Sequence, residues 1–421
     1  MMPLNITKTL TFNLSFPALK THVLNQISAF SSTRIPLPSS KSESNRALII
    51  DALTEGENRL LNLAEARDTQ TMIRLLRENP PIYDVLDAGT TMRFLTAYAA
   101  VTNQHKVMTG TPRMCERPIG ILVDALRALG AEIHYMNKEG FPPLAVHGLK
   151  EQKSDCIQIR GDVSSQYISA LLMIAPVLPQ GLTLELTGKV GSRTYIQMTI
   201  ELMKAFGVVV SWEDQVISVA PQSYQPTVFS VESDWSGASY WFSLLACAEE
   251  GDLFLEGLKA ESLQGDSKIV DIMDRLGVKS EFKVGGLQLT KQEVKGLEAF
   301  DFSDCPDLAQ TVAVTCAIIG QKARFTGLES LRIKETDRIY ALQQELAKFG
   351  AKLEEGVDEV FTLIPSVSMP NEVRVHTYDD HRMAMAFMPL MTKTKVIIED
   401  PEVVNKSYPS FWDHVALIDV K

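Results

Sequence analysis

Several features are missing from this 421-residue chain, and each absence narrows what it does. No stretch approaches the roughly 18 consecutive apolar residues of a membrane helix, and the start has no basic, then apolar, then small-residue secretory pattern. Residues 1–42 contain no acidic residue and several Ser and Thr, a faint likeness to an organelle transit peptide. Against that, "TLTFNLSF" near the start alternates as a strand does. The five cysteines are odd in number, widely spaced and free of CxxC pairs, which predicts reduced thiols, no zinc site and a cytoplasmic protein. A net positive charge is also lacking. At −11 the chain is no general nucleic-acid binder, so any anionic ligand needs locally gathered cations.

With 45% apolar and 22% charged residues, the chain can bury a large core in two or more domains. Two patterns recur. The first is an apolar helical stripe, then Gly, then a strand-like stretch, as in "LVDALRALGAEI" (122–133), "IELMKAFGVVV" (200–210), "IVDIMDRLGVKS" (269–280) and "ALQQELAKFGAKL" (341–353). Glycine there is the expected helix stop. The second is a polar opening that leads into a small, almost wholly apolar helix. It occurs at 40–53, 87–101, 162–177, 234–248, 304–319 and 379–391. A helix apolar on every side is buried. Six of them predict six related units, with sheets wrapped around the helices and the polar helix starts converging on a cleft suited to anions.

"SSKSESNR" (39–46) poses the question locally, because Lys41, Ser42, Ser44 and Arg46 precede a core-bound apolar run. Together they offer an anion site at a helix N-terminus. The alternative is ordinary serine capping with the cations in solvent.

In order, "LPSSKSESNRAL", "AGTTMRFL", "ERPIGILVDALR", "GDVSSQYISALL", "SRTYI", "CPDLAQT", "LRIKETDR", "DDHRMAMAF" and "DPEVVNKSYPSFW" resemble the motifs of the 3-phosphoshikimate 1-carboxyvinyltransferase (EPSP synthase) family, from about residue 36 to about 412. The resemblance implies an α/β (α+β) fold, a two-domain inside-out α/β barrel in which each domain holds three βαβαββ-type units with buried parallel helices. Residues 41–231 would form one domain, and 1–40 with 232–421 the other, with the active site between them. The implied reaction moves the enolpyruvyl group of phosphoenolpyruvate to the 5-hydroxyl of shikimate 3-phosphate and releases phosphate, without metal or organic cofactor. A monomer with these two small-molecule substrates, and neither nucleic acid nor membrane as partner, is expected.

Carried over position by position, Lys41 touches both substrates. Ser42, Arg46, Ser164, Ser165, Gln166 and Ser192 hold shikimate 3-phosphate, and Gln166 also faces phosphoenolpyruvate. Gly89, Arg117, Arg338, Arg382 and Lys406 match the phosphoenolpyruvate positions. Asp307 matches the base near the 5-hydroxyl, Glu335 the proton shuttle at the methylene, and Lys334 touches the hydroxyl and leaving groups; Lys41 is a further proton-transfer candidate. Both substrates carry several negative charges, which arginine forks and lysines suit.

Read without the resemblance, Asp307 is a dipole partner at a helix start, "KETDR" a solvated charge run, His381 a satisfied polar group and Arg193 a solvent-facing cation. Asp87 stands where the family commonly has Asn. It reads as the N-cap of the next helix, where its charge would compete with phosphoenolpyruvate. Phe94 stands where many members have Pro, and Ser330 where many have an Asn that contacts shikimate phosphate. The stretch from Asp68 to Asp87 is shorter than usual, which predicts that one unit has lost a strand pair.

Two rival readings share this architecture. The sister enolpyruvyl transferase on UDP-N-acetylglucosamine shares fold and donor, but Cys115 lies closer to Pro118 than its reactive cysteine would, and "SKSESNR" and "KETDR" favour shikimate phosphate. A non-catalytic anion or RNA-end binder on the same architecture is disfavoured by the acidic balance and by Asp307 and Glu335 together.

Overall fold

The computed structural model describes residues 20–162 and 164–419, so the alternating stretch 9–16 and Val163 of the "VSSQ" motif lie outside the described residues. Among the described residues the strands form six small sheets. Four share one plan, a parallel pair extended by an antiparallel hairpin. In one of them Ile82–Asp84 runs parallel to Lys106–Thr109, with Tyr83 opposite Met108. Leu144–Leu149 and Ala131–Tyr135 then follow antiparallel. A fifth sheet pairs Glu372–Val375 parallel with Lys395–Glu399 and adds Thr21–Leu24 at its edge. The sixth is the short one, Arg59–Leu61 beside Val228–Ser230 alone. The brief Asp68–Asp87 stretch holds one helix, Arg67–Glu78, and the strand Ile82–Asp84, leaving no room for a hairpin there.

The two sequence patterns have separate structural causes. In the first, glycine stops the helix: Gly130 caps Gly120–Leu129 at φ 110°, and a Cβ there would collide with the Glu151 carbonyl. This is the left-handed exit that L side chains resist. In the second, the helices are enclosed by their sheets. Trp235–Cys247 is buried except at Ser236, and Ala309–Ile319 except at its last residue. These two helices face each other through hydroxyls as well as apolar contacts, with Ser243 and Thr315 oxygens 2.7 Å apart, so the small polar residues of the pattern are satisfied inside the core.

Buried apolar side chains fall into two clusters that share no residue. One runs from Ala47 to Tyr224; the other joins Leu24–Leu37 to the stretch from Trp235 to Ile418. Each fully buried large side chain contributes about 1.5–3 kcal/mol, so both clusters are substantial cores. Between them the chain crosses twice, side by side. Ser40 N donates to Glu232 O at 2.8 Å and Asp234 N to Pro38 O at 2.8 Å. Glu43 braces the crossing, its Oε2 accepting from Glu232 N (3.1 Å) and its Oε1 from Gln264 Nε2 (3.0 Å).

Candidate active site

At the opening of Lys41–Leu53 the capping half of the simpler reading holds and its solvent-exposed cations do not. Ser40 is the cap, its hydroxyl accepting from Glu43 N at 3.4 Å, and Ser44 is occupied by Ala64 N at 3.0 Å. The cations are not in solvent. Arg46 is 2% exposed and donates to Thr199 Oγ1 (2.7 Å), Ser42 O (2.9 Å) and Ser169 Oγ (3.2 Å). All its hydrogen-bond partners are neutral oxygens, and burial lowers its pKa to about 10. A buried guanidinium held only by neutral groups still lacks the counter-charge that makes burial cheap, and an anionic ligand supplies one. Lys41 sits 3.3 Å from Asp68 Oδ2. Ser164 and Ser192 stand at the N-terminal caps of Ser165–Ile174 and Arg193–Ala205, and neither hydroxyl makes a capping bond. Ser192 takes a left-handed backbone (φ 51°), which sends its N–H to Ser303 O in the other cluster's half at 2.9 Å. Gln166 Nε2 donates to Thr90 Oγ1 at 3.0 Å.

Gly89 opens the Gly89–Val101 helix directly beneath a guanidinium: a Cβ built on it would lie 2.7 Å from Arg117 NH1. Arg93 lies next to Arg117 on the same side, donating to Gly89 O (3.0 Å) and Pro118 O (2.8 Å). Burial, and then the repulsion of Arg117, lowers Arg93 to about 10. The Nε atoms of Arg93 and Arg117 are buried without a hydrogen-bond partner, and the nearest carboxylate to Arg117 is Glu335 at 3.9 Å. Two adjacent cations with a single carboxylate near Arg117 form a region of positive potential.

Opposite them, the other half contributes an alternating lattice of charges. Arg338 is the centre: Nε donates to Asp380 Oδ2 (2.6 Å), NH1 to Asp307 Oδ1 (3.2 Å) and NH2 to Glu335 Oε2 (2.9 Å). Arg382 meets Asp307 Oδ2 at 2.8 Å, and Lys406 Nζ lies 3.5 Å from Glu335 Oε1. Burial alone would raise Asp307, but Arg382, Lys334 and Arg338 outweigh it and hold the carboxyl well below its usual range. Glu335 behaves alike, with Lys406, Arg338 and Arg117 overcoming burial. Burial lowers Lys334, against the pull of Asp307. Tyr195 OH reaches across to Asp307 Oδ2 at 2.9 Å, tying the two halves together at that carboxylate. Such a site binds anions and holds two acids whose proton affinity depends on how strongly the surrounding cations are engaged elsewhere.

A cleft of about 960 Å³ opens on this lattice and is lined by Arg117, Glu335 and Lys406 among others. A second, much smaller cavity, of about 20 Å³, touches Lys41, Ser42 and Arg382. Arg46, Gly89, Ser164, Ser165, Gln166, Ser192, Asp307, Lys334 and Arg338 line neither, though a chain of ion pairs links Glu335 to Arg338, Arg338 to Asp307 and Asp307 to Arg382. Among the described residues no three His, Cys, Asp or Glu are grouped to hold a metal ion.

Three expectations need correction. Asp87 is not the N-cap: the helix is capped at Ala88 without a side-chain bond, and the Asp87 carboxylate turns instead to Arg67 and Lys406. His381 is no satisfied polar group, since neither ring nitrogen has a hydrogen-bond partner; burial, with Lys41 and Arg382 nearby, holds it well below its ordinary pKa and hence neutral. The "KETDR" charges are not a solvated run, because Arg338 is 2% exposed. Arg193 does face solvent, stacked over Trp212 at 3.9 Å.

Sequence reading passed over Arg93, Tyr195, Asp380 and Arg113. Asp380 carried a signal, an acid one residue before a buried helix, and it does cap His381–Ala386 by accepting from Arg382 N at 2.8 Å. Arg113 carried none: it is half exposed and donates to the Glu335 carbonyl (3.1 Å) from 222 positions away in sequence.

Residues 26–79 and 78–415 match the family model of EPSP synthase (3-phosphoshikimate 1-carboxyvinyltransferase). A 3-phosphoshikimate 1-carboxyvinyltransferase of Bacteroides fragilis is 51% identical over 384 residues, 90% of this chain and 93% of the relative. One of Yersinia pseudotuberculosis is 36% identical over 412 residues, 91% and 95% of the two chains. In fold, the chain is similar to a solved EPSP synthase from Acinetobacter baumannii, with TM-score 0.75 at 21% identity, covering 95% of this chain and 98% of that one.

Proposed function

Because the chain belongs to the EPSP synthase (3-phosphoshikimate 1-carboxyvinyltransferase) family and has that family's activity, we propose that the two facing residue groups are its two substrate sites. Arg46, Ser42, Ser164, Ser165, Gln166 and Ser192 hold shikimate 3-phosphate. Gly89, Arg117, Arg338, Arg382 and Lys406 hold phosphoenolpyruvate, and Lys41 touches both substrates. The bodies 41–231 and 1–40 with 232–421 act as two domains that close on the ligands. The reading includes a cytoplasmic monomer; no helix among the described residues is long and apolar enough to cross a membrane.

The 5-hydroxyl oxygen forms a bond to C2 of phosphoenolpyruvate, its proton passing to Asp307, while Glu335 or Lys41 supplies a proton to C3 and creates a methyl group. The tetrahedral adduct then loses that proton and expels phosphate, regenerating the double bond. Lys334, beside Asp307, offsets charge at the hydroxyl and the leaving group. The strongly depressed carboxylates fit this cycle. Substrate anions draw Arg338, Arg382 and Lys406 toward themselves, which weakens the hold of these cations on Asp307 and Glu335 and lets the acids accept protons.

The observation that carries the reading is Arg338, one guanidinium shared by Asp307 and Glu335 in the lattice facing Arg93 and Arg117. Purified protein given phosphoenolpyruvate with either shikimate 3-phosphate or UDP-N-acetylglucosamine, followed by phosphate release, tests it. Release with the first acceptor alone is expected; release only with the second would overturn it.

A further inference from the structure

Resting on the reading of Lys406 and Arg117 as phosphoenolpyruvate-side groups, we propose that Arg67 is a positioning residue for that substrate. It takes up the negative charge of Asp87, so that Lys406 keeps a donor free for the incoming anion.

Arg67 NH2 lies 2.9 Å from Asp87 Oδ1 and 2.9 Å from Oδ2. Lys406 Nζ, 2% exposed, lies 3.0 Å from Asp87 Oδ2 and 3.0 Å from the Asp87 carbonyl. An ammonium has three donors, so these two contacts leave one for a ligand, in the direction now facing Glu335 at 3.5 Å. Arg67, Asp87, Arg117, Glu335 and Lys406 all line the same cleft of about 960 Å³.

The placement of Arg67 is locally unfavourable. It is the first residue of Arg67–Glu78, a helix without a side-chain cap, and a cation at a helix N-terminus opposes the dipole. Its neighbour Asp68 is directed to Lys41. The helix start therefore delivers one charge to each of two site groups, a cation to the stray acid and an acid to the stray cation. Without Arg67, the Asp87 carboxylate would face Lys406 alone, and neutralising it would take up the cation that the incoming anion needs. An asparagine at 87 would need no such partner. The mutual dependence of Arg67 and Asp87 distinguishes this role from that of an ordinary surface ion pair, which contributes little by itself.

Steady-state kinetics of Arg67→Gln and of Arg67→Gln/Asp87→Asn, with melting temperatures, decide the matter. Arg67→Gln should raise KM for phosphoenolpyruvate about threefold to tenfold while leaving kcat and KM for shikimate 3-phosphate within about twofold. Adding Asp87→Asn should bring KM for phosphoenolpyruvate back at least threefold, the non-additivity expected of two groups in direct contact. An unchanged KM in Arg67→Gln, a rise in both KM values together with a lowered melting temperature, or a double variant no better than the single would each overturn the proposal. Lys406→Arg and Lys406→Met test the underlying reading separately: if neither weakens phosphoenolpyruvate, the assignment of Lys406 fails whatever Arg67 does.

Discussion

Replacing Glu335 by glutamine separates proton transfer from anion binding, because the residue is within reach of three cations at once. Arg338 NH2 is 2.9 Å from it, Lys406 Nζ 3.5 Å and Arg117 NH1 3.9 Å. At about 4 Å each such pair carries roughly 4 kcal/mol of gross attraction near a protein surface, although water and the other acids absorb most of it. Asp380 still holds Arg338 and Asp87 still holds Lys406. The amide keeps the shape and one acceptor but loses the charge, so the cations become more available to phosphoenolpyruvate. Equilibrium binding of phosphoenolpyruvate, measured with shikimate 3-phosphate present, should therefore stay the same or tighten by up to about tenfold, the equivalent of about 1.4 kcal/mol. Turnover should fall by roughly two to four orders of magnitude, the usual share of a positioned acid or base. Phosphate release gives the rate and calorimetry the affinity. A loss of turnover below about tenfold would remove Glu335 from the proton path. Parallel collapse of affinity and rate would show that Glu335 organises the cations and does not compete for them.

Gly89→Ala brings a methyl group to 2.7 Å from Arg117 NH1, the far end of a flexible side chain, so the guanidinium yields and the fold does not. KM for phosphoenolpyruvate should rise at least about tenfold, in line with a lost charge-assisted contact of roughly 1.5–3 kcal/mol, with little change in melting temperature; a KM within twofold of the parent would place Arg117 outside that site. Glu43 at the chain crossing is raised from 4.5 to about 7 by burial, so its contribution to stability is fully present below about pH 4.5 and is lost as pH rises through about 7. Glu43→Gln cannot ionise, and its melting temperature relative to the parent should climb between pH 5 and pH 8; a constant difference would contradict the assignment. If groups of both halves hold shikimate 3-phosphate as proposed, the ligand should contract the chain in solution, drawing together halves that already touch at Tyr195 and Asp307. Scattering that gives the same radius of gyration at saturating ligand would count against domain closure.

Periodicity alone carried much of the architecture. A run such as "DWSGASYWFSLLACA" has no polar side, and the helix Trp235–Cys247 is buried all round, because a surface without polar groups has no stable place in water. Glycine at 130 stops its helix for a reason contained in one residue. The charged site divides differently. Asp307, Glu335, Arg338 and Arg382 lay in motifs named from the sequence, whereas Arg113 carried no signal, and a serine cap was legible, since capping depends on backbone groups within three residues. Partners were not legible. Asp87 looked like a cap because its nearest donors in sequence are the helix amides; in the fold Arg67 and Lys406, 20 and 319 positions away, offer stronger, charged donors, and the carboxylate goes to them. His381 likewise looked satisfiable until packing closed around both ring nitrogens.

The sequence by itself determined that the wholly apolar helices are buried and where a helix such as Gly120–Leu129 stops, because hydrophobic transfer and backbone sterics act over a few neighbouring residues. Only the tertiary structure decided which charge meets which, that Arg338 serves Asp307, Glu335 and Asp380 together, and hence which carboxylates stay ionised. Coulomb interaction depends on distance in space and on the water excluded between groups, and neither is encoded in separation along the chain.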